Sequence, residues 1–285
     1  MKKTLSFLIA LTMCIAFTGC KKPSGNTPAD TTPAATTSEE KIEFDVKAAY
    51  EANLLSNLLK TSESVKESYE YGGEMSYSEY FLDNNGNIAF VNYMDDDNVI
   101  SGNYNDFSFD AVLDEKILHL STYITEEEKT GFGDFSLAYF LDEYKVTDVR
   151  LNGDLIEVEM KISEIFECEP IFVKFEKDTL RLVSFDDGTV MTYEYGEFGK
   201  KDFIKNTFES EKITVTFNVE TYAENSKTVS DYTIEIPKGS VLCPYETYEG
   251  YFAYSDAEYT KSVALDYYAA PFTDKMVIYL TNAAG

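Results

Sequence analysis

One histidine, His119, stands in a chain of 285 residues, and that count removes most acid–base, nucleophilic and zinc chemistry at the outset. In Ile117-Leu118-His119-Leu120-Ser121 the imidazole alternates against Leu118 and Leu120, the pattern of a plain strand histidine facing away from them. No Gly-x-Ser-x-Gly elbow, His-Glu-x-x-His helix or phosphate-binding glycine loop occurs. With 51 acidic residues, some carboxylate pair will stand at a glycosidase separation, so such a pair carries no signal. Two acidic clusters, Asp95-Asp96-Asp97-Asn98 and Asp83-Asn84-Asn85-Gly86-Asn87, suggest calcium. The second lacks the sixth-position glycine and the bidentate glutamate of an EF-hand, and both suit loop tips. No catalytic residue, metal ligand or cofactor is expected, and the chain does not read as an enzyme.

The cysteines offer different chemistry. Lys2 and Lys3 form a basic n-region, Leu5 to Phe17 an apolar segment, and Thr18-Gly19-Cys20 the end of a cleavage site. The arrangement resembles that of bacterial lipoprotein precursors, although Phe17 stands where an aliphatic residue is usual. It implies a signal peptide at residues 1–19 and a diacylglycerol thioether on Cys20, with palmitate-class acyl chains. At roughly 0.8 kcal/mol per buried methylene, two such chains hold a domain on a bilayer. The expected location is extracytoplasmic, lipid-anchored to the cell membrane. Residues 20–41 carry Pro23, Gly25, Pro28 and Pro33 among Ser, Thr, Ala and Asp, and read as a flexible tether reaching about 25 Å. Cys168 and Cys243 remain for the folded part, where they read as separate thiols.

The balance of 24 basic against 51 acidic residues gives a net charge of −27. Nucleic acid and anionic lipid both require a basic face, so neither is an expected partner. The 22 Tyr and 20 Phe, with no Trp, suit strands better than helices.

Phe44 to Val65 carries helical periodicity through Tyr50, Leu54, Leu58 and through Leu55, Leu59, with Asp45 placed to cap it. After Gly72-Gly73 the period changes to two. Ser76–Leu82 and Ile88–Met94 flank Asn84-Asn85-Gly86-Asn87, and Val146–Leu151 and Leu155–Ile162 flank Asn152-Gly153, both in hairpin form. A third hairpin joins Thr179–Val183 to Val190–Tyr195 through Asp186-Asp187-Gly188. Phe135–Tyr144 has the spacing of a short helix. Beyond Gly199-Lys200-Lys201-Asp202, Ile213–Glu220, Tyr232–Ile236 and Met276–Leu280 read as strands.

Ala49 to Lys60, followed by Ser64-Val65, resembles the opening helix of the outer-membrane lipoprotein carrier (Lol-type) fold. Phe175 to Val183, with its Asp178-Thr179-Leu180 centre, and Tyr193-Glu194-Tyr195 resemble that family's late hairpin. Over residues 42–200 the resemblance implies an unclosed β-barrel with helices over its opening and an apolar cavity that holds acyl chains in relatives. Its cargo-gripping arginine has no match, since the only arginines are Arg150 and Arg181. Tyr251 to Lys261 and Phe272 to Leu280 are similar to the internalin-type B repeat, with Phe252-Ala253 in place of the central Gly-Trp. Over residues 210–283 that likeness implies a small β-grasp-like module without chemistry.

The expectation is therefore an α+β, mostly antiparallel chain: an unclosed β-barrel wrapped on an N-terminal helix over 42–203, then a small β-grasp-like domain over 204–285. The expected function is non-enzymatic binding of a lipid or other amphiphile in an apolar cavity lined by Tyr50, Leu54, Leu58, Ile156, Val158, Met160, Met191 and Tyr193. The alternative is a cell-surface interaction or adhesion protein, with both domains as scaffolds for a surface protein or glycan.

Overall fold

The computed structural model describes residues 43–94, 99–105, 107–114, 117–121, 134–161, 170–223, 226–243, 250–265 and 270–283. Cys20, Cys168 and the Asp95-Asp96-Asp97-Asn98 cluster lie outside them. None of the described helices is long and apolar enough to cross a membrane.

The chain enters through α1 (Val46–Ala52), whose N-cap Asp45 accepts from the Ala48 backbone N–H at 2.9 Å. The expected single helix to Val65 is not formed. Leu54 is extended (φ −60°, ψ 129°), and a four-residue α2 (Leu55–Leu58) follows. The interruption has a backbone cause. Leu54 bridges Ser136, the Leu55 N–H donates to Phe135 O at 3.0 Å, and the Leu137 N–H donates to Asn53 O at 2.9 Å. Pairing with this distant segment replaces the hydrogen bonds of a continuous helix, and Ser64-Val65 opens a strand instead.

Eleven strands make two meanders. The first comprises β1 (Ser64–Tyr71), β2 (Glu74–Leu82), β3 (Ile88–Met94), β4 (Val99–Tyr104), β5 (Phe107–Val112) and β6 (Ile117–Ser121). A short 3-10 helix (Tyr139–Asp142) precedes the second, which comprises β7 (Lys145–Asn152), β8 (Leu155–Lys161), β9 (Ile171–Glu176), β10 (Leu182–Asp186) and β11 (Val190–Gly196). β11 returns to pair with β1, joining the meanders into one sheet. Next come α3 (Gly199–Phe208), β12 (Lys212–Ala223), β13 (Ser226–Pro237), β14 (Ser240–Cys243), β15 (Phe252–Tyr254) and β16 (Met276–Thr281). β14 adds to β6 in parallel, giving the order β14-β6-β5-β4-β3-β2-β1-β11-β10-β9-β8-β7. The ends of that order are not paired with each other, so the sheet is an unclosed barrel wall. A second sheet, β13-β12-β16-β15, has β12 and β16 parallel at its centre, the order expected of a β-grasp-like unit.

The expected hairpins at Asn84–Asn87 and Asn152-Gly153 form, and Asp83 closes the first by accepting from the Asn85 and Asn87 N–H groups at 2.8 Å each. That carboxylate is engaged in a turn rather than presented to a cation. The third hairpin is shifted: Thr179 and Leu180 lie in a turn before β10, with Leu180 at φ +56°.

Side-chain alternation divides the core between the two faces of the large sheet. Phe81, Ala89, Val91, Ile100, Tyr104, Phe109, Leu118 and Leu120 pack with Ile204 and Phe208 of α3 and with Ile213, Val215, Phe217, Ile278 and Leu280 of the second sheet. Tyr80 and Phe90, one residue out of step with Phe81 and Val91, point the other way. They join Val65, Val158, Met160, Val173 and Phe175 beneath Ala49, Leu55 and Leu58 of the helices and Phe140 of the 3-10 turn. Each large apolar side chain so buried contributes roughly 1.5–3 kcal/mol. Gly102 is required where β3 and β4 approach, because a Cβ there would meet Phe90 O at 2.1 Å.

The step to a second domain expected after residue 203 falls inside α3. The second sheet shares its core with the first, and residues 41–285 form one unit by their contacts. α3 is tied down by Lys201, 4% exposed, whose Nζ reaches Glu63 Oε2 at 2.6 Å. Buried Glu79 faces the first N–H groups of α3 without reaching hydrogen-bond geometry. Burial raises its pKa, and those N–H groups and Lys201 oppose the rise.

Candidate functional site

The helix-bearing face of the large sheet has two characters. From β8 to β11 it is apolar, and the helices and the 3-10 turn cover it. Leu58, Ile156, Val158, Met160 and Tyr193 are buried members of that cluster, and Tyr50 and Met191 pack against it half-buried. Leu54 is half-buried and belongs instead to the bridge with Ser136. The structure thus brings seven of the eight expected lining residues together, packed against one another.

Across β1, β2 and β3 the same face still gives Val65, Tyr80, Leu82, Ile88 and Phe90 to that cluster, but one register line across it is polar. Strand register sets Tyr193 opposite Glu67, Glu67 opposite Ser78, Ser78 opposite Asn92, Asn92 opposite Ser101, Ser101 opposite Asp110, and Asp110 opposite His119. Residues in direct register share a face, so these seven form one continuous polar row across β11, β1, β2, β3, β4, β5 and β6. At about 4.8 Å per strand the row is roughly 29 Å long. His119 takes the orientation expected from its sequence, half-buried between buried Leu118 and Leu120.

The row begins beneath the aromatic edge of the apolar region and ends in the open. Glu67 is half-buried and accepts from the Tyr80 hydroxyl at 3.5 Å, while Asp110 is exposed. Burial pushes the Glu67 carboxyl up to about 7, and the Tyr80 hydrogen bond opposes the rise. Burial likewise holds the Tyr80 and Tyr193 hydroxyls well above the ordinary tyrosine range, with the Glu67 charge adding to both, so they remain neutral donors. Partial desolvation on the sheet raises Asp110, and His119 opposes it. Ser78 Oγ donates to Asn92 Oδ1 at 2.8 Å, a cross-strand link within the row.

Among the described residues no group of three or more His, Cys, Asp and Glu is placed to hold a metal ion. Glu67, Ser78, Asn92, Ser101 and Asp110 were not singled out by sequence. Each is an ordinary polar residue at an alternating strand position, and only register brings them into line.

Asp256 to Thr260 form a turn. Asp256 Oδ1 accepts from the Thr260 N–H at 2.8 Å and Oδ2 from the Thr260 hydroxyl at 2.9 Å, which lowers the Asp256 pKa. Tyr259, at φ +55°, packs edge-on between Tyr254 and Tyr279.

No family model and no curated protein matches the chain. Among solved structures it is similar to a DUF1329 family protein from Desulfovibrio piger ATCC 29098, at 16% identity and a TM-score of 0.19, over 52% of this chain and 91% of that one. At that score the architecture rests on the topology given above.

Proposed function

We propose that this chain is a non-enzymatic, membrane-anchored extracytoplasmic lipoprotein that binds a lipid or other amphiphile on the helix-bearing face of its unclosed sheet. The observation that carries the reading is the division of that face: an apolar region under the helices runs directly into the row from Tyr193 to His119. A purely structural sheet face has no need of a half-buried carboxylate that finds no cationic partner among the described residues, since such a group costs folding free energy. The Lol-type resemblance of residues 42–200 supports the same reading, and the lipobox-like Cys20 supports the anchor.

Titration of the purified, delipidated full chain with an environment-sensitive fluorescent fatty amphiphile tests the binding. Saturable enhancement displaced by unlabelled lipid is expected, and a linear, non-displaceable signal contradicts it. For the anchor, wild type is expected in the detergent phase of a cloud-point partition and Cys20→Ser in the aqueous phase. Both variants remaining aqueous would remove the anchor from the account.

A rival reading, a surface interaction protein, draws on β13. Residues Ser226 to Asp231 are exposed, and the outer side of this strand has no partner strand among the described residues. An edge of that kind can accept an added strand from another protein.

A further inference from the structure

We propose that the polar row selects a cationic head group, a primary or quaternary ammonium, held at Glu67. The inference rests on the amphiphile-binding reading and specifies the head group for that same face.

Glu67 sits at the inner end of the row, two residues from Val65 on the same face of β1 and in register with Tyr193, both in the apolar cluster, so a head group there leaves its chain beside that cluster. Its recorded hydrogen bond is the long one from Tyr80, and among the described residues no Lys or Arg contributes to its electrostatics. Lys66, its neighbour along β1, lies on the opposite face and pairs with Glu194 at 2.7 Å. Among the described residues the carboxylate therefore has desolvation without a counter-charge, which an ammonium would supply.

The surroundings are aromatic. Tyr193 stands in direct register with Glu67, Tyr69 is two residues along the same face of β1, and Tyr80 reaches it from β2. Phe135 packs edge-on to Tyr80 with centroids 5.8 Å apart. A carboxylate among tyrosine rings is the chemistry that recognises ammonium, through charge and through the negative ring faces together. A phosphate head would instead meet Glu67, then Asp110 further along the row, on a chain of net charge −27.

The test titrates the full chain with dodecylammonium, dodecyltrimethylammonium and dodecyl phosphate, each below its micelle concentration, at physiological salt. The expected result is about tenfold or greater preference for the ammonium amphiphiles. Glu67→Gln should abolish that preference, and the exposed control Glu74→Gln should keep it. Tyr193→Leu should reduce it several-fold, a second arm that stands if the Gln variant does not fold. Equal or tighter binding of dodecyl phosphate overturns the inference and leaves amphiphile binding intact. A preference that survives Glu67→Gln assigns it to net charge and also overturns the inference. If none of the three probes binds, both the head-group assignment and the amphiphile reading fall.

Discussion

Asn53 and the turn at Leu180, 127 residues apart in sequence, are joined by both ends of one side-chain amide. Asn53 Nδ2 donates to Leu180 O at 2.8 Å, and its Oδ1 accepts from the Leu182 N–H, also at 2.8 Å. The same Nδ2 donates to Ala49 O at 2.8 Å, and Asn53 is fully buried. This amide therefore holds the helix layer to the sheet at the point where Leu180 takes its left-handed conformation.

Asn53→Ala removes the partner of the buried Leu182 N–H, at about 1–3 kcal/mol, and of the part-buried Leu180 carbonyl, at about 1 kcal/mol. The expected loss is roughly 2–4 kcal/mol by urea unfolding. Faster amide exchange should appear at the Leu182 and Leu137 N–H groups. If amphiphile entry requires the helix layer to lift, the variant also takes up ligand faster. An unchanged urea midpoint would show that the amide does not hold the layer.

Glu67 makes stability depend on pH in a definite direction. Its folded-state pKa of about 7 exceeds the ordinary 4.5, so the cost of its charge is absent below 4.5, grows as pH rises between these values, and is complete above about 7. The shift corresponds to about 3.4 kcal/mol at most, and to roughly 2–3 kcal/mol once solvent screening of the half-buried carboxyl is allowed for. Glu67→Gln should therefore be more stable than wild type by about that amount at pH 8 and match it near pH 4. Thermal melts of both proteins across this range check it. A difference that does not vary with pH would place the carboxyl in water.

Asp256 binds the Thr260 N–H and hydroxyl through its two carboxylate oxygens. Asp256→Ala should lower stability by about 1 kcal/mol and leave amphiphile affinity unchanged. Calorimetric melting and the fluorescence titration, run together, read both effects. A changed affinity would connect this turn to the binding face.

Much of the fold is legible in sequence because period and turn chemistry are local. Asn152-Gly153 and the alternation of Ile156, Val158 and Met160 place β8 directly, and Ile213 to Val219 do the same for β12. The opening helix is misread past Ala52 because what breaks it, the pairing of Leu54 and Leu55 with Phe135 and Ser136, comes from some eighty residues away. The Thr179-Leu180 pattern reads as strand although it forms a turn, whose conformation is fixed by Asn53. The apolar half of the site is largely visible, since Leu58, Val158 and Met160 are core residues whatever they touch. The polar half is not: Glu67, Ser78, Asn92, Ser101 and Asp110 are separated by nine to fourteen residues and are aligned only by strand register.

Native mass spectrometry of the protein, purified from the membrane fraction of its cells in a mild detergent and released gently, tests the central claim most directly. The account predicts a population heavier than the lipidated polypeptide by one amphiphile, which lipid extraction recovers in stoichiometric amount. It also predicts that a probe amphiphile added afterwards displaces it. A single species at the mass of the lipidated chain, taking up no amphiphile even at saturating concentration, would contradict the account.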